Sequence, residues 1–226
     1  TDAGDALGAN ELDDVGEPAD YTYGGTPNIS HDGRSAVLPI ANSDRGTSDV
    51  WILDLDSGRR RKITVDIDDH PAACWTPDGK SVVLSTSTTQ NGYGLDVISI
   101  DGTQSRRIIQ ADNFIWPLSA WGDRILYYPQ ESTPRPPDIL VGSLSGNGQV
   151  EAFLATASGE NDAQFSPDGR WVAYTSDETG RSDVFVAAFP QPGGRWQVSQ
   201  EGGTEPRWNR NGNELFEPPP HRLRYE

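Results

Sequence analysis

The chain has 226 residues, and its 34 Asp and Glu against 18 Lys and Arg give a formal net charge of -16. This balance argues against nucleic acid as a partner, because an acidic surface without a basic stripe repels phosphate. We expect no membrane-spanning segment, since the sequence contains no apolar run of about eighteen residues. The single cysteine, Cys74, excludes an internal disulfide and is expected to be a small buried residue.

Residues 1–19 form an acidic leader. The first twenty residues contain seven Asp or Glu and no Lys or Arg, and they show no strand periodicity. A segment of this composition has too little apolar surface to fold on its own. We therefore predict a poorly ordered leader over 1–19 and a single domain over 20–226. The sequence also lacks Met, so we expect it to be a processed piece of a longer protein.

The rest of the chain repeats one pattern: a turn of the type Ser-Pro-Asp-Gly-Arg, an apolar strand, a loop, and an Asp that opens a second apolar strand. The clearest copy begins at Phe165, and other turns lie at 31–34, 76–80 and, in degraded form, 120–124. Asp-Gly suits such turns because Gly tolerates a positive φ and Asp accepts hydrogen bonds from the turn backbone. Asp32 and Asp78 lie 46 residues apart, a period typical of propeller blades.

We therefore predict an all-β fold, a β-propeller of four-stranded antiparallel blades with strands A to D in each. The blades are predicted at about 26–69, 70–113, 114–161 and 162–204. Residues 205–226 resemble strands A to C of a fifth blade, and residues 20–23 could supply its strand D. That strand would close a five-bladed ring and remove two exposed sheet edges. The alternative is a fragment of a six-bladed or larger propeller, since the prolines at 218–220 make the last blade irregular.

Two segments carry a resemblance to a known family. The phrases SPDGRWVAYTSDETGRSDVFVAAFP (166–190) and GGRWQVSQEGGTEPRWNRNGNELF (193–216) resemble the TolB-like, WD-repeat-like propellers of bacteria. They are most similar to the propeller region of bacterial serine/threonine protein kinases. The resemblance implies a non-catalytic sensing or docking module on the periplasmic or extracellular side of a bacterial membrane. The third copy departs from the pattern by lacking Ser-Pro before its turn, and kinase catalytic motifs are absent from the sequence.

Several acidic and histidine residues are interpreted as structural. The Asp that opens strand C recurs in every blade, and a ring holds equivalent positions apart, so these carboxylates should accept hydrogen bonds within their own blades. They are Asp49, Asp96, Asp138 and Asp183. The turn carboxylates of Asp32, Asp78 and Asp168 are expected to brace their own turns. The three histidines are far apart in sequence and lack metal-like spacing, so we predict no metal, no cofactor and no catalytic residues.

One candidate binding site remains. In a propeller the connections from strand D to the next strand A gather around one mouth of the central channel. Carboxylates that crowd a concave mouth focus a negative potential, so we hypothesise that this mouth binds a cation or the positive end of a peptide or small ligand. The alternative is that this mouth is filled with water and binds no specific ligand. The candidate residues are Asp68, Asp69, His70, Asp112, Asn113, Trp116, Asn161, Asp162, Glu205 and Arg207.

Three functions stay open at this point. The first is a monomeric module that binds a protein, a peptide or a small ligand, within a larger bacterial protein, without catalysis and without direct membrane insertion. The second is an accessory propeller that gates substrate entry to a hydrolase of the prolyl oligopeptidase type. The third is a propeller enzyme, a lyase or a glycosidase, that uses paired carboxylates in the channel. Fold alone does not choose among them.

Overall fold

A computed structural model of the chain describes residues 27–42, 44–64, 68–90, 92–130 and 138–216. The predicted leader over 1–19, the closing strand at 20–23 and the end of the predicted fifth blade lie outside the described residues. Within the described residues every regular element is a β-strand. No helix that is long and apolar enough to cross a membrane occurs in this part of the chain.

The strands form four antiparallel sheets of four strands and one pair. Each sheet follows chain order: β1–β4, β5–β8, β9–β12 and β13–β16, with the pair β17 and β18 at the end. We name the sheets blades 1 to 4, their strands A to D, and the final pair with its turn copy five. The strands are β1 (Asn28–Ile29), β2 (Ser35–Asn42), β3 (Thr47–Asp54), β4 (Arg60–Lys62), β5 (Ala73–Trp75), β6 (Ser81–Thr88), β7 (Gly92–Ser99), β8 (Ser105–Ala111), β9 (Ile115–Trp121), β10 (Arg124–Pro129), β11 (Ile139–Ser143), β12 (Glu151–Leu154), β13 (Glu160–Phe165), β14 (Trp171–Ser176), β15 (Asp183–Ala188), β16 (Arg195–Gln197), β17 (Arg207–Trp208) and β18 (Leu215–Phe216).

The core consists of three hydrophobic clusters, and each joins two consecutive blades. One packs Val50 and Ile52 of blade 1 against Val82 and Leu84 of blade 2. The second joins blades 2 and 3, and the third joins blades 3 and 4. A sheet covered on both faces needs continuous rather than alternating apolar residues, which explains why β6 and β14 are buried along most of their length. The outer strand β16 is exposed throughout.

The turns between strands A and B are built as the sequence indicates. Asp168 Oδ1 accepts hydrogen bonds from Ser166 Oγ at 2.7 Å and from the Arg170 N–H at 3.1 Å. Asp32 and Asp78 make the same pair of bonds in their own turns. These bonds, the side-chain bond first, lower the pKa of the Asp168 carboxyl to about 2. The turn carboxylates therefore hold local structure and do not project toward a common ligand.

Adjacent copies are tied together through strand A. The Trp75 indole N–H donates to the Asn28 carbonyl at 2.9 Å, which links blade 2 to blade 1. The Trp208 indole N–H donates to the Gln164 carbonyl at 3.2 Å, which links copy five to blade 4. Residues of the first strands of all five copies line one common cavity, so these strands surround one axis. The all-β fold of four-stranded antiparallel blades predicted from the repeat is confirmed for the described residues.

Candidate functional site

The first strands of the copies line two cavities that follow each other along this axis. At the end where strand D connects to the next strand A, a cavity of about 160 Å³ is lined by Trp116, Asp162 and Arg207 with their neighbours. At the end of the A–B turns, a cavity of about 660 Å³ is lined by residues of all five copies. We name these ends the D–A mouth and the A–B mouth. Gln164 and Arg207 line both cavities, so the two cavities lie next to each other along the axis.

Asp162 is the carboxylate that lines the D–A cavity. Its φ of 53° lies in the left-handed region, which non-glycine residues rarely adopt. The pairing of β13 with β14 is irregular between Asn161 and Gln164, and this irregularity holds Asp162 beside the cavity. Its Oδ2 accepts a hydrogen bond of 3.3 Å from Thr175 Oγ1. Strained backbone of this kind is frequent at ligand sites.

Glu205 occupies the corresponding place before β17 and has a φ of 51°. Asp162 and Glu205 are the two non-glycine residues with positive φ in the described part of the chain. Glu205 Oε2 lies 3.7 Å from Arg207 Nη2, a long ion pair. Burial raises the pKa of the Asp162 carboxyl, and the charge of Glu205 raises it further against smaller opposing effects that include Arg207. The D–A mouth therefore gathers two carboxylates and one guanidinium.

An aromatic wall stands beside Asp162. Trp116 of β9 pairs with Tyr128 of β10, and their rings stack with centroids 6.2 Å apart at an interplanar angle of 18°. Burial, followed by the charge of Asp162, raises the pKa of the Tyr128 hydroxyl to about 12. Tyr128 was missed by the sequence analysis, although its place opposite Trp116 on the neighbouring strand would have indicated it.

The candidate residues between blades 1 and 2 lie outside the lining of the D–A cavity. Asp69 Oδ1 accepts a hydrogen bond of 2.7 Å from the Ser48 N–H and so ties blade 2 to blade 1. His70 is 3% exposed, and its Nδ1 lies 3.3 Å from the Ser85 carbonyl oxygen and 3.4 Å from Thr86 Oγ1. His70 is thus enclosed within blade 2. Asp68, two residues earlier in the chain, is partly buried.

Three more candidate residues, between blades 2 and 3 and at the start of blade 4, are also absent from the lining of the D–A cavity. The Asn113 amide donates to the Gln130 carbonyl at 2.8 Å and closes its own loop. Asp112 and Asn161 are exposed and are absent from the lining of the D–A cavity. Of the ten candidates, Trp116, Asp162 and Arg207 share the cavity, and Glu205 contacts it through Arg207.

The Asp residues of strand C stay within their own blades. Asp49 interacts with Arg45, Lys62 and Thr64, and Asp183 accepts hydrogen bonds from Thr179 and Ser199. The donors are side chains of the neighbouring loop and of strand D in the same blade. Among the described residues, no group of three His, Cys, Asp or Glu side chains is arranged to hold a metal ion.

Comparison with known proteins gives the same fold. No family model matches the chain. Over 158 residues it is 23% identical to the uncharacterized peptidase YuxL of Bacillus subtilis strain 168, a match that covers 70% of this chain and 22% of that protein. The chain therefore spans less than a quarter of the curated relative that it matches.

The solved structures that are similar to the chain include the following two. One, a protein of Agrobacterium tumefaciens assigned as TolB, has a TM-score of 0.69 and 18% identity over 85% of this chain and 68% of that chain. The other belongs to a study of two prolyl endopeptidases, with a TM-score of 0.55 and 15% identity over 81% of this chain and 30% of that chain. At these identities the likeness concerns the fold, and the chain adopts the β-propeller fold of TolB-like proteins.

Proposed function

We propose that the chain is a non-catalytic binding module that recognises an organic ammonium group, such as a lysine side chain or a peptide amino terminus, at the D–A mouth. The observation that carries the proposal is the placement of the Asp162 carboxylate in the same small cavity as the stacked rings of Trp116 and Tyr128. A carboxylate supplies a charge-assisted hydrogen bond, and aromatic faces attract a cation through their quadrupole.

The electrostatics of the cavity favour a cationic ligand. The carboxylates of Asp162 and Glu205 outnumber the guanidinium of Arg207, and burial together with Glu205 raises the pKa of Asp162. A bound ammonium would offset both effects and would stabilise the ionised form of Asp162. The volume of about 160 Å³ admits a single charged group rather than a whole folded partner.

The sequence resemblance to propeller regions of bacterial kinases supports a proposal for the protein and the cell compartment in which this module acts. We propose that it is the extracytoplasmic sensing or interaction region of a larger bacterial protein. The match to a peptidase and the likeness to a prolyl endopeptidase structure support a second candidate, an accessory propeller that filters peptides for a hydrolase. The sequence that flanks this chain distinguishes the two: a membrane span with a kinase favours the first, and a Ser-Asp-His hydrolase favours the second.

The binding test uses isothermal titration calorimetry with the whole chain and two tripeptides. One tripeptide contains a central lysine with its terminal groups blocked, and the other has the same lysine acetylated. We expect the free lysine to bind and the acetylated form to bind at least about tenfold more weakly, since one charge-assisted hydrogen bond contributes about 1.5–3 kcal/mol. Affinity should rise with pH as Asp162 ionises.

The variant Asp162→Asn should weaken binding of the lysine peptide by about tenfold or more. Glu151→Gln is the matched control, because it removes one negative charge from an exposed residue in blade 3. Equal affinity for both peptides, or a lysine affinity that Asp162→Asn leaves unchanged, would reject the D–A mouth as the binding site.

A further inference from the structure

The A–B mouth forms a second and larger cavity, which the proposed function does not use. Its volume of about 660 Å³ falls within the range of about 300–1,000 Å³ that is typical of small-molecule pockets. The wall is built from the ends of the first strands and the turns that follow them. Every copy contributes to it, from the turn of blade 1 to the turn of copy five.

Large apolar side chains form a ring in this wall. Each copy contributes the residue directly before its turn, and these residues are Ile29, Trp75, Trp121, Phe165 and Trp208. The ring is held in place, since the indole N–H groups of Trp75 and Trp208 donate to backbone carbonyls of neighbouring copies. It is also open to solvent, because Ile29 is 60% exposed and Trp121 is 37% exposed. Trp75 and Phe165 are each only 7% exposed, so the accessible aromatic faces are those of Trp121 and Trp208. Such faces are suited to stacking with a flat ligand.

The charge of this cavity is opposite to that of the chain. Among the described residues that line it there is no Asp or Glu, while Arg207, Arg210 and His31 are present. The carboxylates of the surrounding turns are occupied locally: Asp32 accepts from Ser30 and from the Arg34 N–H, and Asp168 makes the same bonds in its own turn. Arg207 also forms a long ion pair with Glu205, and the charge of Arg210 contributes to lowering the pKa of Asp32. On a chain with a net charge of -16, a cavity lined by two arginines and no carboxylate still favours an anion over a cation.

We propose that the A–B mouth binds a small aromatic carboxylate, with its ring against the tryptophans and its carboxylate directed at the arginines. Arg207 lines both cavities, and Arg210 lies beside Gly33 in the turn of blade 1. Guanidinium groups match the planar geometry of a carboxylate and also stack on aromatic rings. The site shares Arg207 with the D–A mouth, but its aromatic residues and the charge of its ligand are different.

The test compares three probes that share one ring system and differ in charge: 2-naphthoate, 2-naphthalenemethanol and 2-naphthylmethylammonium. Binding to the whole chain is measured by calorimetry and by the tryptophan fluorescence of the ring. We expect 2-naphthoate to bind at least about tenfold more tightly than the neutral alcohol, and the ammonium to bind most weakly at this mouth. Glu151→Gln, at an exposed residue of blade 3 that lines neither cavity, should leave the affinity for 2-naphthoate unchanged.

Two arginine variants sharpen the test. Arg210→Gln should lower the affinity for 2-naphthoate about tenfold and leave that for the alcohol unchanged, while Arg210→Lys should retain part of it. Arg170→Gln is the matched control, because Arg170 is an exposed turn arginine outside the cavity lining. A thermal melt shows that each variant remains folded. Equal affinity for the three probes, no binding of 2-naphthoate at about 1 mM, or no effect of both Arg210→Gln and Arg207→Gln would overturn the proposal.

Discussion

Arg210 of copy five lies directly over Gly33 of blade 1. A Cβ atom built on Gly33 would come within 2.6 Å of the Arg210 Nη2 atom. The two residues occupy A–B turns at opposite ends of the described chain, so the contact brings the last copy beside the first. A closed ring requires the first and last copies to be adjacent in this way. Gly33 and Arg210 both line the A–B mouth.

Because of this contact, we expect Gly33→Ala to lower the free energy of unfolding more than the equivalent substitution Gly79→Ala. Gly33 and Gly79 hold the same turn position with φ of 68° and 66°, but a Cβ on Gly79 would meet nothing within 4 Å. Gly79→Ala should lower the free energy of unfolding by about 1 kcal/mol through its backbone alone. Gly33→Ala should cost about 0.5–1 kcal/mol more because Arg210 must move. Urea denaturation measures both values.

The double variant Gly33→Ala with Arg210→Ala provides the control for this prediction. Removing the guanidinium should abolish the extra cost of the alanine, so the two substitutions should be coupled. Equal costs for Gly33→Ala and Gly79→Ala would show that the first and fifth copies do not press on each other in solution.

A second close approach joins blades 3 and 4. A Cβ on Gly169 would lie 2.1 Å from the Trp121 ring. An indole is rigid and cannot withdraw as a guanidinium can, so Gly169→Ala should lower the free energy of unfolding by about 2–3 kcal/mol, combining backbone strain with overpacking. Guanidinium denaturation followed by tryptophan fluorescence measures the change. In a Trp121→Ala background the same substitution should cost only about 1 kcal/mol, and an unchanged cost there would contradict the explanation.

The turns could be predicted from sequence because their determinants are local. Ser166, Asp168 and Gly169 contain within four residues every group that the turn needs. The recurrence of such turns then indicated the blades. The strand-C carboxylates were also expected to accept hydrogen bonds within their own blades, and Asp183 accepts them there from Thr179 and Ser199.

The members of the D–A mouth could be predicted only in part. Asn161 and Asp162 are adjacent in sequence, yet a strand irregularity brings Asp162 to the cavity and leaves Asn161 exposed. His70 is buried, and its Nδ1 atom lies within hydrogen-bonding distance of strand B of its own blade rather than facing the cavity. Trp121 and Trp208 lie 87 residues apart in the sequence, and only the arrangement of the copies around the axis shows that they line a common cavity. These facts depend on packing between blades, which periodicity does not encode.

Asp183 tests the structural role of the strand-C carboxylates. Its side chain is fully buried and accepts hydrogen bonds from Thr179 at 2.5 Å, Ser199 at 2.9 Å and Arg181 at 3.2 Å. Burial alone would raise its pKa, but these bonds outweigh burial and hold the pKa below its ordinary value. Asp183→Ala should lower the free energy of unfolding by about 2 kcal/mol, because the buried Ser199 hydroxyl and the exposed Thr179 and Arg181 side chains lose their acceptor. Asp56→Ala, at an exposed turn, should change it by less than about 0.5 kcal/mol, and similar effects of the two would argue against this role.

Glu160 presents the opposite case. This first residue of β13 is 1% exposed, and its Oε2 atom has no hydrogen-bond partner among the described residues. Burial raises the pKa of its carboxyl; a hydrogen bond from Thr156 opposes the increase, and the charges of Asp138 and Glu178 add to it. The folded chain thus holds a carboxylate whose ionised form it stabilises poorly.

The raised pKa of Glu160 predicts a dependence of stability on pH. The unfolded carboxyl has a pKa of about 4.3, so between that value and the folded pKa the folded chain binds more protons. The contribution of Glu160 to the free energy of unfolding therefore falls as pH rises through that window. Glu160→Gln carries no charge and should remove this loss, leaving the variant about 1 kcal/mol more stable than the parent near pH 7 and without that advantage near pH 4. Urea denaturation across this pH range measures the difference, and the exposed control Glu151→Gln should show none. A difference between Glu160→Gln and the parent that stays constant with pH would show that Glu160 titrates normally in the folded chain.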